Sequence, residues 1–264
     1  MRCAHILLSP ALSVLLVIPS AAQQAASSTQ ASQLLQRSLA ALQGNASLTD
    51  VTLSGTARRI AGSDDETGTA TLKAIPGDAC RIDLGLPSGS RSEILNATTT
   101  PPTGSWSGAN GLLHSMAAHN LLTGSAWFFP AFTVGRSLAS GKYVVVYIGQ
   151  ETHNGQTVQH VSVSQRPPLK APPLGPSLAH LTQVDFFLDS VTLLPVAISF
   201  NIHPDNDAGL DLPVEIIFSD YRVVNGAQIP FHVQKYLNNG LTLDLQFQNV
   251  TTNTGLSAAT FQVQ

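Results

Sequence analysis

The residues that could do chemistry in this chain occur in short groups whose spacing can be compared with known catalytic patterns. Residues 104–108 (GSWSG) resemble the turn that exposes a nucleophilic serine in hydrolases, but the central residue is Trp106. Because an indole cannot replace the serine hydroxyl, this segment predicts a loop and not a nucleophile. Cys80 alternates in phase with Ile82 and Leu84, which is typical of a small buried hydrophobic residue in a strand.

The metal-ligating residues do not show the spacing of a metal site within any one segment. His114 and His119 are five residues apart, whereas the zinc-protease pattern needs a spacing of four and an adjacent glutamate. Asp205, Asp207 and Asp211 share one loop, where carboxylates can wrap calcium, but the glycine and glutamate positions of an EF-hand are not met. A solvated loop is favoured over a calcium site. The sequence therefore predicts no catalytic residue, no metal site, no cofactor and no enzyme activity.

The charge of the chain excludes some classes of partner. The 264 residues contain 13 Lys and Arg against 16 Asp and Glu, a formal net charge of −3. Since no basic patch is present, nucleic acids and anionic membrane surfaces are poor partners.

The first residues have the pattern of an export signal. A positive Arg2 precedes a short apolar run at 6–18, and small residues follow up to Ala22, which is typical of a signal peptide cut after that residue. An uncleaved anchor is the less favoured alternative, because the run is too short to cross a bilayer comfortably. We therefore expect a cleaved segment at 1–22, a single domain at 23–264, no integral membrane span, and a periplasmic or secreted location in a bacterial envelope.

Residues 184–247 read as five strands with nearly all large apolar side chains on one face. Successive side chains alternate across a strand, so residue parity assigns the face. The opposite parity is mostly polar or small, with Phe187 and Ile217 as exceptions. This pattern predicts an antiparallel sheet with one wet and one apolar face. The apolar face supplies these candidate ligand-binding residues: Phe186, Ile198, Phe200, Ile216, Phe218, Val233, Leu243 and Leu245.

An apolar sheet face has to be covered, and three segments are candidates for the cover. Residues 30–43 repeat leucine at helical spacing, and residues 112–122 have the pattern of a second helix. The aromatic segment 125–130 (SAWFFP) adds Trp127 and Phe128 to the candidate lining of the apolar face. The cover is therefore predicted to be the protein's own helices, a bound apolar molecule, or both.

Turn residues predict how the strands pair. A two-residue Asn225-Gly226 loop pairs Phe218 with Val233, and a three-residue loop ending in a left-handed Gly240 pairs Leu245 with Val233. Shorter strands at 50–59, 68–75, 79–86 and 90–95 predict a meander. A further hairpin turns at Asn154-Gly155, and these residues are expected in one layer: Val144, Val146, Ile148, Val161 and Val163.

The order of these features resembles the LolA/LolB-like periplasmic lipoprotein-carrier superfamily, the lipoprotein localisation factors. The resemblance rests on short motifs: DVTLSGT at 50–56, GTATLKA at 68–74, CRIDLGLPSGSRSEIL at 80–95, LDSVTLLPVAISF at 188–200, FSDYRVVNGAQIPFHV at 218–233 and NTGLSAATFQV at 253–263. It implies an α+β, mainly β fold: a highly curved antiparallel sheet, or half-open β-barrel, whose apolar concave face is covered by one or two helices. The family's carriers use an arginine near the cavity mouth to latch a lid, a place that Arg58 or Arg59 would take. Residues 97–130 are longer and more aromatic than a simple carrier needs.

These observations favour an exported envelope protein that binds a lipid, a lipoprotein acyl chain or another hydrophobic ligand in the concave face. The implied partners are a lipid or lipidated protein, and an envelope protein. The alternative is a non-enzymatic structural or sensor module of the envelope whose core is filled by its own side chains. An unrecognised hydrolase is the least favoured class, because no catalytic group is found.

Overall fold

The computed structural model describes residues 21–77, 79–123, 126–139, 141–166 and 178–262. The signal peptide predicted at 1–22 therefore lies outside the described residues, except for its last two positions. The helices are α1 (Ala21–Gln43), α2 (Pro130–Ser137) and α3 (Leu178–Leu181). The strands are β1 (Val51–Ala61), β2 (Asp64–Ile75), β3 (Ala79–Leu86), β4 (Gly89–Asn96), β5 (Thr103–Ser107), β6 (Leu113–Ser115), β7 (Tyr143–His153), β8 (Gln156–Gln165), β9 (Val184–Asp189), β10 (Pro195–Ile202), β11 (Leu212–Val224), β12 (Ala227–Leu237) and β13 (Gly240–Thr252).

All the strands belong to one curved, unclosed antiparallel sheet. Its spatial order is β6-β5-β4-β3-β2-β1-β13-β12-β11-β10-β9-β8-β7. The chain therefore builds one meander outward from the centre and a second one back to it, and β1 pairs with β13 in the middle. The mainly β fold and the predicted meander are confirmed.

The concave face holds the core, and two helices cover it. Helix α1 lies against β7, β8 and β12 and against α2. Its Leu35 and Leu42 are fully buried. Helix α2 begins at Pro130, where the missing N–H costs nothing, and buries Phe132 and Val134. The predicted half-barrel with one or two covering helices is confirmed.

Helix α1 begins nine positions before the predicted 30–43 helix. The added residues are Ala, Gln, Ser and Thr, which include good helix formers but supply no apolar stripe for the pattern to reveal. Among them, Ser27 binds the backbone of β7 at the edge of the sheet. The Ser27 hydroxyl donates to the Tyr147 carbonyl at 3.1 Å and accepts from its amide at 3.2 Å.

The prediction of a helix at 112–122 is wrong, and so is that of a loop at 104–108. Residues 103–107 form β5, and 113–115 form β6 beside it, with a 3-10 turn at Ala118–Leu121. The Trp106 and His114 rings stack across the two strands, with centroids 4.2 Å apart. Here cross-strand pairing overrides a weak local helix preference.

The predicted register of the last three strands is confirmed, but one turn is built differently. Phe218 pairs with Val233, and Val233 pairs with Leu245. The left-handed residues of the last turn are Asn238 and Asn239, at φ 49° and 63°, and not Gly240. A two-residue loop alone would turn the wrong face inward. A bulge between Lys235 and Tyr236 restores the register.

A second bulge overturns the predicted layer of the β7–β8 hairpin. The turn at Asn154-Gly155 forms as expected, but the pairing shifts between Tyr147 and Gly149. Val163 consequently pairs with Val145 and Val161 with Tyr147, so the predicted layer with Val144, Val146 and Ile148 is wrong. The Ile148 residue is 54% exposed.

Phe187, an apolar residue at a position that alternation assigns to solvent, belongs to a second, small core on the convex face. It packs with Val158 and Ala197, and the His153 ring stacks on it with centroids 3.7 Å apart. His153 also contacts Glu215 of β11, with Nε2 and Oε1 2.5 Å apart. The tip of the β7–β8 hairpin therefore reaches over the convex face and buries an aromatic ring at a position that alternation assigns to solvent.

Gly55 lies at the bulge where β1 meets β13, and this position excludes any side chain. A Cβ atom there would lie 2.1 Å from the Gln246 carbonyl oxygen and 2.7 Å from the Phe247 Cα. Because both neighbours are backbone, Gly55→Ala should lower the free energy of unfolding by about 2 kcal/mol. Urea denaturation measures the change. Gly209→Ala, in an exposed loop, is the control, and equal stability of the two variants would contradict the account.

Candidate ligand-binding cleft

Among the described residues, no helix covers one end of the concave face, where a cleft of about 680 Å³ lies. It is bounded by the ends of β1, β12 and β13 on one side and by β3, β4 and β5 on the other. Its walls are formed by Arg59, Ile60, Ala61, Gly62, Ile82, Leu84, Arg91, Ser92, Glu93, Trp106, Ser107, Gly108, Trp127, Ile202, Lys235, Leu237, Gly240, Leu241, Thr242 and Leu243.

Strand register explains why apolar and charged side chains share this surface. Residues paired across neighbouring strands point to the same face. Leu243 pairs with both Arg59 and Lys235, and Leu84 pairs with Arg91. The alternation that places core residues on the concave face therefore continues to the ends of the strands. There the inward positions include Arg59, Arg91 and Lys235.

The cleft is large enough for a small molecule, and part of its wall is apolar. Ile82, Leu84 and Leu243 are buried within the walls, whereas Trp106 stands at the rim with 42% of its surface exposed. Binding pockets for small molecules commonly measure about 300–1,000 Å³. The volume of the cleft falls within this range.

The charged part of the cleft has an excess of cations. Arg59, Arg91 and Lys235 face one lining carboxylate, Glu93. The Arg59 Nη1 and Arg91 Nε atoms are buried and have no hydrogen-bond partner among the described residues. The Lys235 Nζ lies 4.9 Å from the centre of the Trp127 ring, close enough for a cation–π contact.

A second carboxylate, Glu66, is paired across the strands with Arg59, lies near Arg91 and is held by Ser88. Its two oxygens accept from the Ser88 amide and hydroxyl, each at 2.9 Å, and Arg91 Nη2 is 3.8 Å away. The Ser88 hydroxyl is the main cause that lowers the pKa of Glu66, and Arg91 and Arg59 lower it further. Glu66 is therefore anionic at neutral pH and is engaged chiefly with Ser88.

The neighbouring arginines Arg58 and Arg59 point to opposite faces of β1. Arg58 is on the convex face and donates to Asp65 through Nε at 2.8 Å and Nη2 at 2.6 Å. Arg59 lines the cleft. Of the two arginines considered from the sequence, the structure places Arg59 at the cavity mouth.

Trp127 forms a wall shared by three cavities. It lines the cleft, an adjoining pocket of about 180 Å³ and a nearly filled pocket of about 20 Å³. Its ring is 3% exposed, and its buried Nε1 has no partner among the described residues. This indole separates the cleft from the space beside α2.

The candidate lining residues predicted from the sequence divide into three groups. Leu243 and Trp127 line the cleft, and Ile198 and Phe200 line smaller pockets that also touch Trp127. The others are buried in the hydrophobic core and line none of these cavities: Phe186, Ile216, Phe218, Val233, Leu245 and Phe128. Sequence reasoning did not select Ile82, Leu84 or the three cations, although their inward parity was a usable signal.

The loop that carries Asp205, Asp207 and Asp211 does not gather these carboxylates around one point. Asp207 accepts from the Gly209 amide at 2.9 Å. Asp211 instead meets His180 and the buried His203, with one potential ligand atom from each within 4.8 Å of the others. This trio is the group whose spacing suits a metal ion within the part of the chain that the structure describes.

The open half-barrel with a helix-covered concave face defines a recognisable class of fold. An outer membrane lipoprotein-sorting protein domain from Vibrio parahaemolyticus superposes with a TM-score of 0.55 at 16% identity, covering 89% of this chain and 97% of the other. A LolA superfamily protein from Nitrosomonas europaea gives 0.54 at 10% identity, covering 88% and 97%. The protein therefore has a LolA-like fold, as the sequence motifs predicted. Comparison with protein-family models and with curated proteins found no match.

Within the described ranges, no helix combines the length and the apolar character that a membrane span needs.

Proposed function

We propose that the protein is an envelope protein that binds the hydrocarbon chain of a lipid or lipidated molecule in the cleft. The observation that carries this proposal is the open cleft of about 680 Å³ at the end of the concave face, with apolar side chains among its lining. Burial of each methylene group contributes about 0.8 kcal/mol, so a single long chain would supply useful affinity. Ile82, Leu84 and Leu243 would contact the chain.

Two further observations support an exported carrier or sensor. The first residues have the pattern of a signal peptide, which leaves 23–264 as the proposed mature domain, periplasmic or secreted. One similar structure is described as a lipoprotein-sorting domain, and the other belongs to the LolA superfamily. Fold alone does not define function, and the cleft carries the proposal.

A second candidate is a non-enzymatic interaction module that contacts another envelope protein. It is favoured by the filled core, since six of the ten predicted lining residues are packed away from every cavity named above. Under this proposal the cleft would receive a side chain or segment of the partner and not a lipid.

The tryptophans provide a direct test, because both indoles of the chain line the cleft. A bromine atom quenches indole fluorescence on contact, so 9,10-dibromostearyl alcohol is a suitable uncharged probe. We expect saturable quenching with one molecule bound per protein. Filling the space with Leu241→Trp should weaken binding of the alcohol about tenfold, a loss equivalent to about two buried methylenes. The matched control is Val223→Trp, at a position 66% exposed and outside the cleft.

Mass spectrometry separates the two candidates. Protein expressed with its signal peptide and purified without detergent should release stoichiometric lipid into organic solvent. Absence of both lipid release and saturable quenching would refute hydrocarbon binding and favour the interaction module.

A further inference from the structure

The cationic residues at the mouth of the cleft point to a preference in the ligand's polar end. Arg59 extends from the end of β1 and Arg91 from the start of β4, on opposite walls of the cleft. Lys235 adds a third cation from β12. The protein as a whole has a net charge of −3, so this local excess of positive charge is opposite in sign to the rest of the molecule.

The hydrogen-bonding state of the arginines shows unused capacity. A guanidinium has five N–H donors, and a buried donor without an acceptor costs free energy. Arg59 Nη1 and Arg91 Nε are such atoms among the described residues. The nearby acceptors do not remove this deficit, since Glu66 is held by Ser88, and its closest approach to Arg91 is 3.8 Å, at Nη2.

Apolar side chains lie directly beside the cations, so a ligand that fits the cleft should have both a hydrocarbon part and a polar end. Leu243 is paired directly with Arg59 and with Lys235, so hydrocarbon packed on Leu243 places its polar end within reach of the two cations. A neutral headgroup would leave the three cationic side chains of the lining without an anionic partner. A carboxylate or phosphate would accept from them in charge-assisted hydrogen bonds, which are roughly twice as strong as neutral ones.

We infer that the cleft selects lipids with an anionic headgroup, a carboxylate or a phosphate monoester, which binds to Arg59, Arg91 and Lys235. This inference rests on the proposed binding of hydrocarbon in the same cleft. The Glu93 carboxylate lines the cleft together with the three cations. Its negative charge repels an anionic headgroup and therefore limits how much negative charge the cleft can bind.

The test compares three probes with the same dibrominated chain and different ends: an alcohol, a carboxylate and a phosphate monoester. We expect the two anions to bind the wild-type protein at least tenfold more tightly than the alcohol. The phosphate and carboxylate arms identify which anion is preferred. Raising the salt concentration should weaken the anions and leave the alcohol unchanged, because salt screens charge and not hydrocarbon burial.

Variants of single cations assign the effect to the cleft. Arg59→Gln and Lys235→Gln should each weaken binding of the anions about tenfold without changing the affinity for the alcohol. Arg58→Gln and Lys73→Gln are the matched controls, since both positions lie on the convex face. Glu93→Gln should tighten binding of the anions.

The possible outcomes distinguish selection of anionic headgroups from the proposed binding of hydrocarbon. Equal binding of alcohol and anions, with no response to Arg59→Gln, would overturn anion selection and leave hydrocarbon binding intact. Quenching by none of the three probes would refute both. Thermal unfolding of each variant by circular dichroism confirms that it is folded, and the salt series on the wild type needs no variant at all.

Discussion

Replacing Trp127 by alanine should lower the free energy of unfolding by about 4 kcal/mol and join three cavities into one. The indole is 3% exposed and packs edge to face with Phe128, with ring centroids 5.7 Å apart. Removal of a buried aromatic ring typically costs about 3–5 kcal/mol, because the lost free energy of burying the ring and the cost of the cavity left behind add together. The Lys235 ammonium would also lose the ring 4.9 Å from it.

Urea denaturation measures the loss of stability. Circular dichroism is the suitable signal, because the variant has lost one of the two tryptophans on which fluorescence would depend. Trp127→Phe is the matched control, because it keeps most of the wall and should cost less than half as much. The Trp106 indole still reports on the cleft. In Trp127→Ala it should show binding of branched or two-chain brominated lipids that the wild type excludes. A stability loss below about 1 kcal/mol would mean that Trp127 does not form a structural wall.

Asp50→Ala should destabilise the fold by about 3 kcal/mol. The residue is 1% exposed and lies immediately before β1, the central strand. Its two carboxylate oxygens accept from the Thr254 amide and hydroxyl, both at 2.9 Å, and from the Gly255 amide at 2.8 Å. Alanine would leave these donors unsatisfied, and hydrogen bonds to a charged group contribute about 1.5–3 kcal/mol each. The segment after β13 would then lose its attachment to the centre of the sheet.

The same carboxylate gives the stability a defined pH dependence. Burial raises the pKa of Asp50, but the hydrogen bonds from Thr254, Gly255 and Leu256 together lower it by more, so that the pKa lies below the ordinary value of 3.8. A lowered pKa in the folded state means that the contribution is fully present above the unfolded pKa and is lost as the pH falls through the folded one. Between neutral pH and about pH 4 the destabilisation by Asp50→Ala should stay constant, and it should shrink below that range.

Urea midpoints of wild type and Asp50→Ala at pH 7, 4 and 2.5 test both statements. Asp64→Ala, at an exposed position at the start of β2, is the control and should change stability by less than about 0.5 kcal/mol. A destabilisation by Asp50→Ala that is the same at all three pH values would show that folding does not lower the pKa of this carboxylate.

Residue parity and turn chemistry predict most of the sheet, and the failures have local physical causes. Phe218, Val233 and Leu245 form one layer as expected, because burial of one face makes any other register costly. A bulge inverts parity without a sequence signal, which is why Ile148 is exposed. The error at 112–122 arose because its apolar residues fit a helix, although Leu113 pairs with Ser107 of β5.

The cleft was harder to predict than the fold because it depends on where the cover ends. Parity identifies inward residues such as Phe186 and Leu243 equally well, yet Phe186 is packed in the hydrophobic core and Leu243 lines the open cleft. The reach of a covering helix is a tertiary property that alternation does not contain. The inward parity of Lys235 and Arg91 was present in the sequence, and a charged residue in an apolar row is a signal for a functional site.

The pairing of β1 with β13 has a consequence for the order of events during folding. Residues 55 and 247 are neighbours in the centre of the sheet, so the contacts that join the two meanders have a very large sequence separation, and we expect them to form late. Until β13 is in place, an eleven-residue strand presents an unpaired edge, the kind of edge that pairs wrongly with other chains. Arg59 and Leu243 also come together only at that step, so the cleft is complete only after β13 has paired with β1.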